Sequence, residues 1–406
     1  MKKLIFGISG VGKSTYIEKI LAENMLDQAT VLMGYMFKNI DLASLELPVS
    51  YVVHYNLRRC FKRVRPLFEI EPLIDSTYKF LLNNATESEI HVLVSPPRVI
   101  KHRLLTRKFL EPHALVGNNM GKILELFEET CLVNLVDLYL AAIKPFEENG
   151  YSIKYISSGS NFEFFFIDKY QALQILADEV AVSYSQAEKE SISFALRENY
   201  QSFDEGVSSN GKFDRMKSFE LISKYLIGAE SLLDIGCAEG FFCFKAEELG
   251  VKSILGTEIR TNRFVTANIY KEIRGSKVYF KNIDVFSQPL ISKFQVVLLL
   301  NVLHHLANPF EALKIVTDLC TETLILEFPS LGDTKFSSSS LPNPSCDLDT
   351  LPLIGISAKS KNDQTFLFSP EALKIFLTEH LSAYKSIEII PSPFQHSSYI
   401  AVCSKI

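Results

Sequence analysis

The chain holds no tryptophan, no Cys-x-x-Cys pair among its seven cysteines, no apolar run of bilayer-spanning length and no internal repeat. Without cysteine pairs at zinc spacing there is no ligand set for a structural zinc, so the thiols read mostly as small core residues of a reducing compartment. Without a long apolar run a membrane-spanning segment is not expected. The opening Met1-Lys2-Lys3-Leu4-Ile5-Phe6 mimics a signal peptide, but its apolar stretch breaks at Gly7 and meets Lys13, so a cytoplasmic protein is the expectation. An excess of positive charge is lacking too: a net charge of -5 and a pI near 6.0 argue against a nonspecific nucleic-acid or membrane-surface binder and leave only local basic patches open.

What is present is a globular composition, 47% hydrophobic and 22% charged over 406 residues, more than one hydrophobic core usually serves. Two domains follow. The pattern turns helical and polar at Ser185-Gln186-Ala187-Glu188-Lys189-Glu190, which places the boundary between 1–184 and 185–406.

In the first half, a short apolar strand at Lys3 to Phe6 leads into Gly7-Ile8-Ser9-Gly10-Val11-Gly12-Lys13-Ser14-Thr15 and a helical stretch to about Met25. This fits the phosphate-binding loop G-x-x-x-x-G-K-[ST] in its strand-loop-helix setting. Gly7, Gly10 and Gly12 free the backbone N–H groups to point at phosphate oxygens, Lys13 would bridge the outer phosphates, Ser14 would hold Mg²⁺, and Thr15 adjoins them. ATP or GTP with Mg²⁺ is the expected ligand. Strands at Thr30 to Gly34, Val49 to His54, Ile90 to Ser95 and Ser152 to Ser157, with helices at Pro72 to Asn83 and Gly121 to Glu148, predict a parallel sheet covered by helices.

After Pro96-Pro97 come Arg98, Lys101, His102, Arg103, Arg107 and Lys108, with Arg103 and Arg107 on one helical face. This run resembles the lid of small P-loop kinases acting on nucleosides and nucleotides. The resemblance implies phosphoryl transfer, with Arg103 and Arg107 neutralising charge on the γ-phosphate; read alone, the same residues also fit a solvated basic face. The strand that would carry a Walker-B carboxylate ends His54-Tyr55-Asn56, leaving Asp75 as a fallback metal partner. A second basic cluster, Arg58, Arg59, Lys62, Arg63 and Arg65, suits an anionic acceptor, a nucleic-acid backbone or water.

In the second half, Ser231-Leu232-Leu233-Asp234-Ile235 is an apolar run ending at an acid, and Gly236-Cys237-Ala238-Glu239-Gly240 turns into an apolar helix. Ala238 stands where a dinucleotide fingerprint has its second glycine, which argues against NAD. The next strands end at Glu258, 22 residues past Gly236, at Asp284-Val285, and at Asn301. Glu258 is placed to accept from both ribose hydroxyls of an adenosine and Asp284 from its amino group.

This order resembles the class I S-adenosylmethionine-dependent methyltransferases: Asp234-x-Gly236-x-x-x-Gly240 matches their first motif, Glu258 their ribose acid, Asp284 their adenine position and Leu303-His304-His305-Leu306-x-x-Pro309 the segment after their fourth strand. The lead-in Tyr200-Gln201-Ser202 and Lys212-Phe213-Asp214-Arg215 is similar to the subset containing the tRNA wobble-uridine carboxymethyl transferases. The implied cofactor is S-adenosylmethionine. A hydroxyl acceptor would need a base, for which His305 or His304 is placed, with packing as the alternative role for both. The Ser- and Pro-rich stretch from Pro329 to Phe366 reads as a substrate cover or a disordered segment.

The expectation is therefore two doubly wound α/β domains: an N-terminal P-loop kinase-like sheet, and a C-terminal Rossmann-like methyltransferase sheet closed by an antiparallel pair. The leading function is a bifunctional transferase coupling methyl and phosphoryl transfer on one acceptor, a small metabolite or a glycan terminus. The alternatives are a tRNA-modifying methyltransferase with an RNA kinase or ATPase domain, and a methyltransferase gated by a non-hydrolysing nucleotide module.

Overall fold

The computed structural model describes residues 1–23, 29–64, 67–85, 87–109, 119–178, 180, 182–196, 201, 215–288, 290–331, 348–356, 366–393 and 398–405. They form two compact units, Met1–Ala195 and Leu196–Ile406. The division falls after the helix Gln186–Ala195, which belongs to the first unit, rather than before it.

The first unit is built on the strands β1 (Lys2–Gly7), β2 (Thr30–Met33), β3 (Tyr51–Asn56), β4 (Phe61–Val64), β5 (Leu67–Ile70), β6 (Glu89–Val94), β7 (Ser152–Ser158) and β8 (Phe164–Ile167). Six of them form a sheet in the order β2-β3-β1-β6-β7-β8, parallel except for β8, while β4 and β5 make a separate hairpin. Helices α1 (Lys13–Glu23), α2 (Ser76–Asn84), α3 (Pro97–Phe109), α4 (Asn119–Leu132), α5 (Leu135–Glu148), α6 (Lys169–Ala177) and α7 (Gln186–Ala195) complete it. Central strands covered on both faces need apolar side chains on both, and Leu4, Ile5 and Phe6 are fully buried in succession. Each contributes about 1.5–3 kcal/mol by leaving water.

The helix expected over 121–148 is two helices. Asn134 interrupts it, its side-chain oxygen accepting the N–H groups of Val136 and Asp137 at 3.0 and 3.2 Å. An asparagine that caps one helix ends the preceding one, a local competition that apolar periodicity conceals.

The second unit contains α8 (Met216–Ser223), β9 (Ser231–Ile235), α9 (Phe241–Glu248), β10 (Ser253–Thr257), α10 (Thr261–Arg274), β11 (Tyr279–Lys281), β12 (Phe294–Leu300), α11 (Pro309–Leu319) and β13 (Cys320–Pro329). Then come β14 (Ile354–Ile356), β15 (Phe366–Phe368), α12 (Pro370–Ile375), β16 (Ser386–Pro391) and β17 (Ser398–Ser404). The sheet runs β11-β10-β9-β12-β13-β17-β16, with β17 antiparallel to both β13 and β16. This is a Rossmann-like α/β sheet with the expected antiparallel pair at one edge.

At α12 Ser369 accepts the Ala372 N–H at 3.1 Å, as its Ser-Pro-Glu start implies. The strand expected over 278–283 is shorter, because Asp284 closes a turn behind it: its carboxylate accepts the Phe286 N–H at 3.0 Å and the Ser287 hydroxyl at 2.6 Å. Five cysteines, Cys60, Cys237, Cys243, Cys320 and Cys403, are buried free thiols. Most of the Ser- and Pro-rich stretch after Pro329 lies outside the described residues.

Candidate functional site

In the second unit, the chain leaves β9 toward β10 and β11 on one side, and leaves β12 toward β13 on the other. Ligands of open α/β sheets bind where such connections diverge. A cavity of about 310 Å³ opens there, lined by Gln201, Arg215, Asp234, Gly236, Cys237, Ala238, Phe242, Glu258, Ile259, Arg260, Arg263, Leu300, Asn301, Val302 and His305. Its size is at the lower end of the roughly 300–1,000 Å³ of small-molecule sites.

The floor is the glycine turn. Gly236 has φ +74° and Gly240 φ +90°, and a Cβ on Gly236 would lie 2.5 Å from Val302 Cγ2. The N–H groups of Gly236 and Cys237 donate to the Thr257 carbonyl at 2.8 and 3.0 Å, which ties the turn to the end of β10. Glu258 then bridges two elements: Oε2 accepts the Ala238 N–H at 3.0 Å and Oε1 accepts the Arg260 N–H at 2.7 Å. Burial raises the Glu258 pKa, opposed by these hydrogen bonds and by Arg263 and Arg260.

Asp234 is buried, and desolvation pushes its carboxyl up to about 7, against the Cys243 S–H 3.5 Å from Oδ2 and the charge of Arg215. Cys237 is pushed up to about 11 by burial, so it stays a neutral thiol.

The two histidines separate. His305 is exposed and lines the cavity. His304 is buried with its ring 4.1 Å from that of His305, and desolvation followed by the His305 charge lowers its pKa to about 3. His304 is therefore a neutral packed side chain, and the imidazole that meets the cavity is His305.

Asp284 and Val285 do not line the cavity. The Asp284 carboxylate accepts hydrogen bonds within its own turn, and Val285 packs in the core with Leu233 and Val297. Gly240 is not a lining residue either: it makes room for the Phe280 ring, whose Cζ would be 2.6 Å from a Cβ there. Gln201 and Arg215 are in the lining although the sequence assigned them no role. Gln201 Oε1 accepts the Phe241 N–H at 3.2 Å and its own N–H donates to Glu239 Oε2 at 3.1 Å, holding the start of α9.

In the first unit a cavity of about 820 Å³ lies at the ends of β1 and β3, lined by Ser9, Gly10, Gly12, Lys13, Ser14, Thr15, Glu18, His54, Asn56, Arg103, Leu104, Thr106, Leu126, Phe162 and Glu188. Gly10 and Gly12 have φ +84° and +97°. Lys13 is buried and folds back to donate to the Gly7 and Ile8 carbonyls at 2.8 and 2.7 Å, and desolvation lowers its pKa to about 7. Gly7 is thereby an acceptor for Lys13, while Ser14 and Thr15 are exposed in the cavity wall.

Arg103 does reach the glycine loop, but as a strut. Its guanidinium donates to the carbonyls of Gly10, Val11 and Gly159 and to Ser158 Oγ, with Cζ 4.1 Å from the Phe162 ring centre. The Arg107 side chain lies outside the described residues.

Neither fallback for charge is open. Asp75 caps α2, accepting the Tyr78 N–H at 2.8 Å, the Tyr55 hydroxyl at 3.1 Å and Arg59 Nε at 2.8 Å, and it does not line the cavity. Arg58 is paired with Glu125 and Glu129, each at 2.6 Å. The second basic cluster is thus partly internal, its first two arginines neutralised by acids far away in sequence. His54 lines the cavity with a pKa lowered to about 4, first by burial and then by Lys13. Among the described residues no cluster of three or more metal-capable side chains occurs, and no helix is long and apolar enough to cross a membrane.

With this geometry in place, residues 233–323 match the family described as a methyltransferase domain. Curated relatives include the tRNA U34 carboxymethyltransferase of Campylobacter fetus subsp. fetus, 30% identical over 104 residues, 25% of this chain and 35% of that protein. Another is the protein of the same name from Helicobacter pylori, 28% identical over 140 residues, 31% of this chain and 51% of that protein. The match spans about half or less of these relatives. Solved structures include the N-terminal domain of EvdMO1 with SAH bound, 19% identical with a TM-score of 0.41, covering 55% of this chain and 98% of that one. Magnesium protoporphyrin IX methyltransferase from Synechocystis with bound SAM is 17% identical with a TM-score of 0.33, covering 48% of this chain and 77% of that one.

Proposed function

We propose that the chain, whose second unit carries a class I S-adenosylmethionine-dependent methyltransferase domain, methylates an acceptor presented at the His305 side of its cavity, while its first unit binds a nucleoside triphosphate. The observation that carries the methyltransferase reading is the pairing of the Gly236 turn with Glu258 at the point where the sheet connections diverge. The acceptor groups fit the cofactor: Glu258 for the ribose hydroxyls and Asp234 for an ammonium. When bound, the cofactor supplies a methyl group activated by its sulfonium.

The chain's own residues have simpler tasks. The Gly236 turn and Glu258 orient the adenosine half, and His305 takes the proton of a hydroxyl acceptor. An acceptor already ionised needs only positioning.

For the first unit, the glycine loop and the exposed hydroxyls of Ser14 and Thr15 support triphosphate binding with Mg²⁺ at Ser14, for which Lys13 would have to leave the Gly7 and Ile8 carbonyls. His54 and Asn56 stand where β3 meets the loop, and the acids in the lining are Glu18 and Glu188. This arrangement favours a module that binds nucleotide and gates methylation over phosphoryl transfer to a shared metabolite or glycan acceptor. RNA is the second acceptor reading, favoured by the names of the curated relatives.

Two measurements test the proposal. Calorimetry with S-adenosylhomocysteine should show Glu258→Ala weakened by roughly ten- to a hundredfold, the worth of charge-assisted hydrogen bonds; equal affinity refutes the ribose assignment. In a thermal-shift panel ATP should stabilise the wild type, with the shift lost in Lys13→Ala while stabilisation by S-adenosylhomocysteine persists. ATP consumption abolished by the same variant would instead establish turnover.

A further inference from the structure

The outer strand of the first sheet, β8, pairs with β7 on one side, and among the described residues no strand pairs with its other side. An open edge presents unpaired N–H and C=O groups to any extended chain, and proteins usually blunt it with lysine, proline, a bulge or brevity. β8 is brief, but its sequence is Phe164-Phe165-Phe166-Ile167, without charge, proline or glycine. Phe165 and Phe166 are 62% and 66% exposed, and Tyr170, at the start of α6, is 71% exposed. Apolar surface gathered in this way marks an interaction site.

The neighbouring contacts hold the strand in place. Phe164 packs against Tyr16 of α1 with ring centres 5.0 Å apart. The Phe166 ring lies 5.7 Å from Lys154 Nζ and 6.1 Å from the His91 ring. Asp168 continues the extended backbone, with φ −80° and ψ 168°, before α6 begins.

The charges that flank the strand indicate what it pairs with. Glu163 precedes it, exposed and without an ion pair among the described residues. Lys169 follows it, also exposed, beside Glu147 at 2.7 Å. A second copy joined antiparallel about a two-fold axis normal to the sheet keeps each face of the sheet on its own side. Residues directly opposite one another must then lie an even number of positions apart. With Phe166 on the axis, Phe165 stands opposite Ile167 and Glu163 opposite Lys169, and the symmetry makes each of these pairs twice. With Phe164, Phe165 or Ile167 on the axis, Glu163 meets Phe165, Ile167 or Gln171 instead. Opposite charges across neighbouring strands stabilise the pairing and so select the Phe166 register.

We propose that β8 is a dimerisation edge, which adds to β8 of a second copy, antiparallel and with Phe166 at the two-fold axis, so that the two sheets become continuous.

Sedimentation velocity on the full chain over a micromolar concentration series tests it. The wild type should dimerise with a dissociation constant on the order of micromolar, as a small interface does. Phe166→Glu should stay monomeric throughout: within one copy the new carboxylate faces Lys154, whereas across the axis it faces itself. Its thermal melt should match that of the wild type, which separates lost pairing from lost folding. Glu163→Lys and Lys169→Glu should each weaken dimerisation, roughly two- to thirtyfold for two surface pairs, and the double variant should restore it. A wild type that is monomeric at every concentration leaves the edge to a strand of another protein and overturns the inference. A dimer that Phe166→Glu leaves intact, or a double variant no better than the single ones, overturns it as well.

Discussion

Gly236→Ala is expected to destabilise the second unit by about 2–5 kcal/mol and to abolish measurable S-adenosylhomocysteine binding. Two costs add. A left-handed backbone carries roughly 1–2 kcal/mol for a residue with a Cβ, and Gly236 has φ +74°. Ala238, in the same turn at φ +51°, shows that this cost alone is borne by the fold.

The larger part is steric: the added methyl would sit 2.5 Å from Val302 Cγ2, and overpacking of this kind costs about 1–3 kcal/mol. Relief by moving Val302 disturbs the step from β12 to His305, while relief by moving the turn breaks the Gly236 and Cys237 hydrogen bonds to Thr257. Either response deforms the cavity. Adding Val302→Ala should restore most of the stability in a thermal melt. If Gly236→Ala alone melts and binds as the wild type does, the turn is not packed against Val302 as described.

The legible features are those whose cause is local. Apolar runs ending in an acid or amide marked β9, β10 and β12, and the glycine turns marked where helices begin. Glu327 ends Leu324-Ile325-Leu326 in the same manner, so its place at the carboxyl edge carried the same signal as Asp234 and Glu258. What no local pattern carries is the partner. Arg215 meets Glu327 across 112 residues, and Arg58 meets Glu129 across 71.

A basic cluster reads as ligand-facing until the fold supplies its acids, which is why Arg58 and Arg59 looked available and are not. Asp284 shows the opposite case. A short-range turn captured its carboxylate, a competition set by Ser287 three residues on. His304 and His305 are adjacent in sequence, and only the 3-10 turn at Leu303–His305 decides which ring is packed and which reaches the cavity.

Arg58→Met is expected to destabilise the first unit by about 3 kcal/mol at pH 8, the usual cost of orphaning a buried ion-pair partner, and by far less at pH 5. Glu129 explains the pH dependence. It is buried against Arg58 Nε at 2.6 Å, yet desolvation raises its pKa to about 7, with Glu125 and Glu128 adding to the rise and Arg58 opposing it. A folded-state pKa above the unfolded value of about 4.3 means that the folded unit binds the proton more tightly. The wild-type contribution is therefore full below about pH 4.3 and is lost as pH rises through 7. Removing Arg58 raises the carboxyl further, so at pH 5 it is neutral and the loss is limited to packing and the exposed Glu125 pair, whereas at pH 8 it must either ionise without a partner or keep its proton against the solvent. Hydrogen–deuterium exchange of the full chain, followed over peptides spanning α4 and α5, reads this locally. Protection there should fall in Arg58→Met at pH 8, after correction for the intrinsic rate, and should match the wild type at pH 5. An equal loss at both pH values would make Arg58 a packing residue; no loss at either would return it to the solvent-facing cluster that its neighbours in sequence suggest.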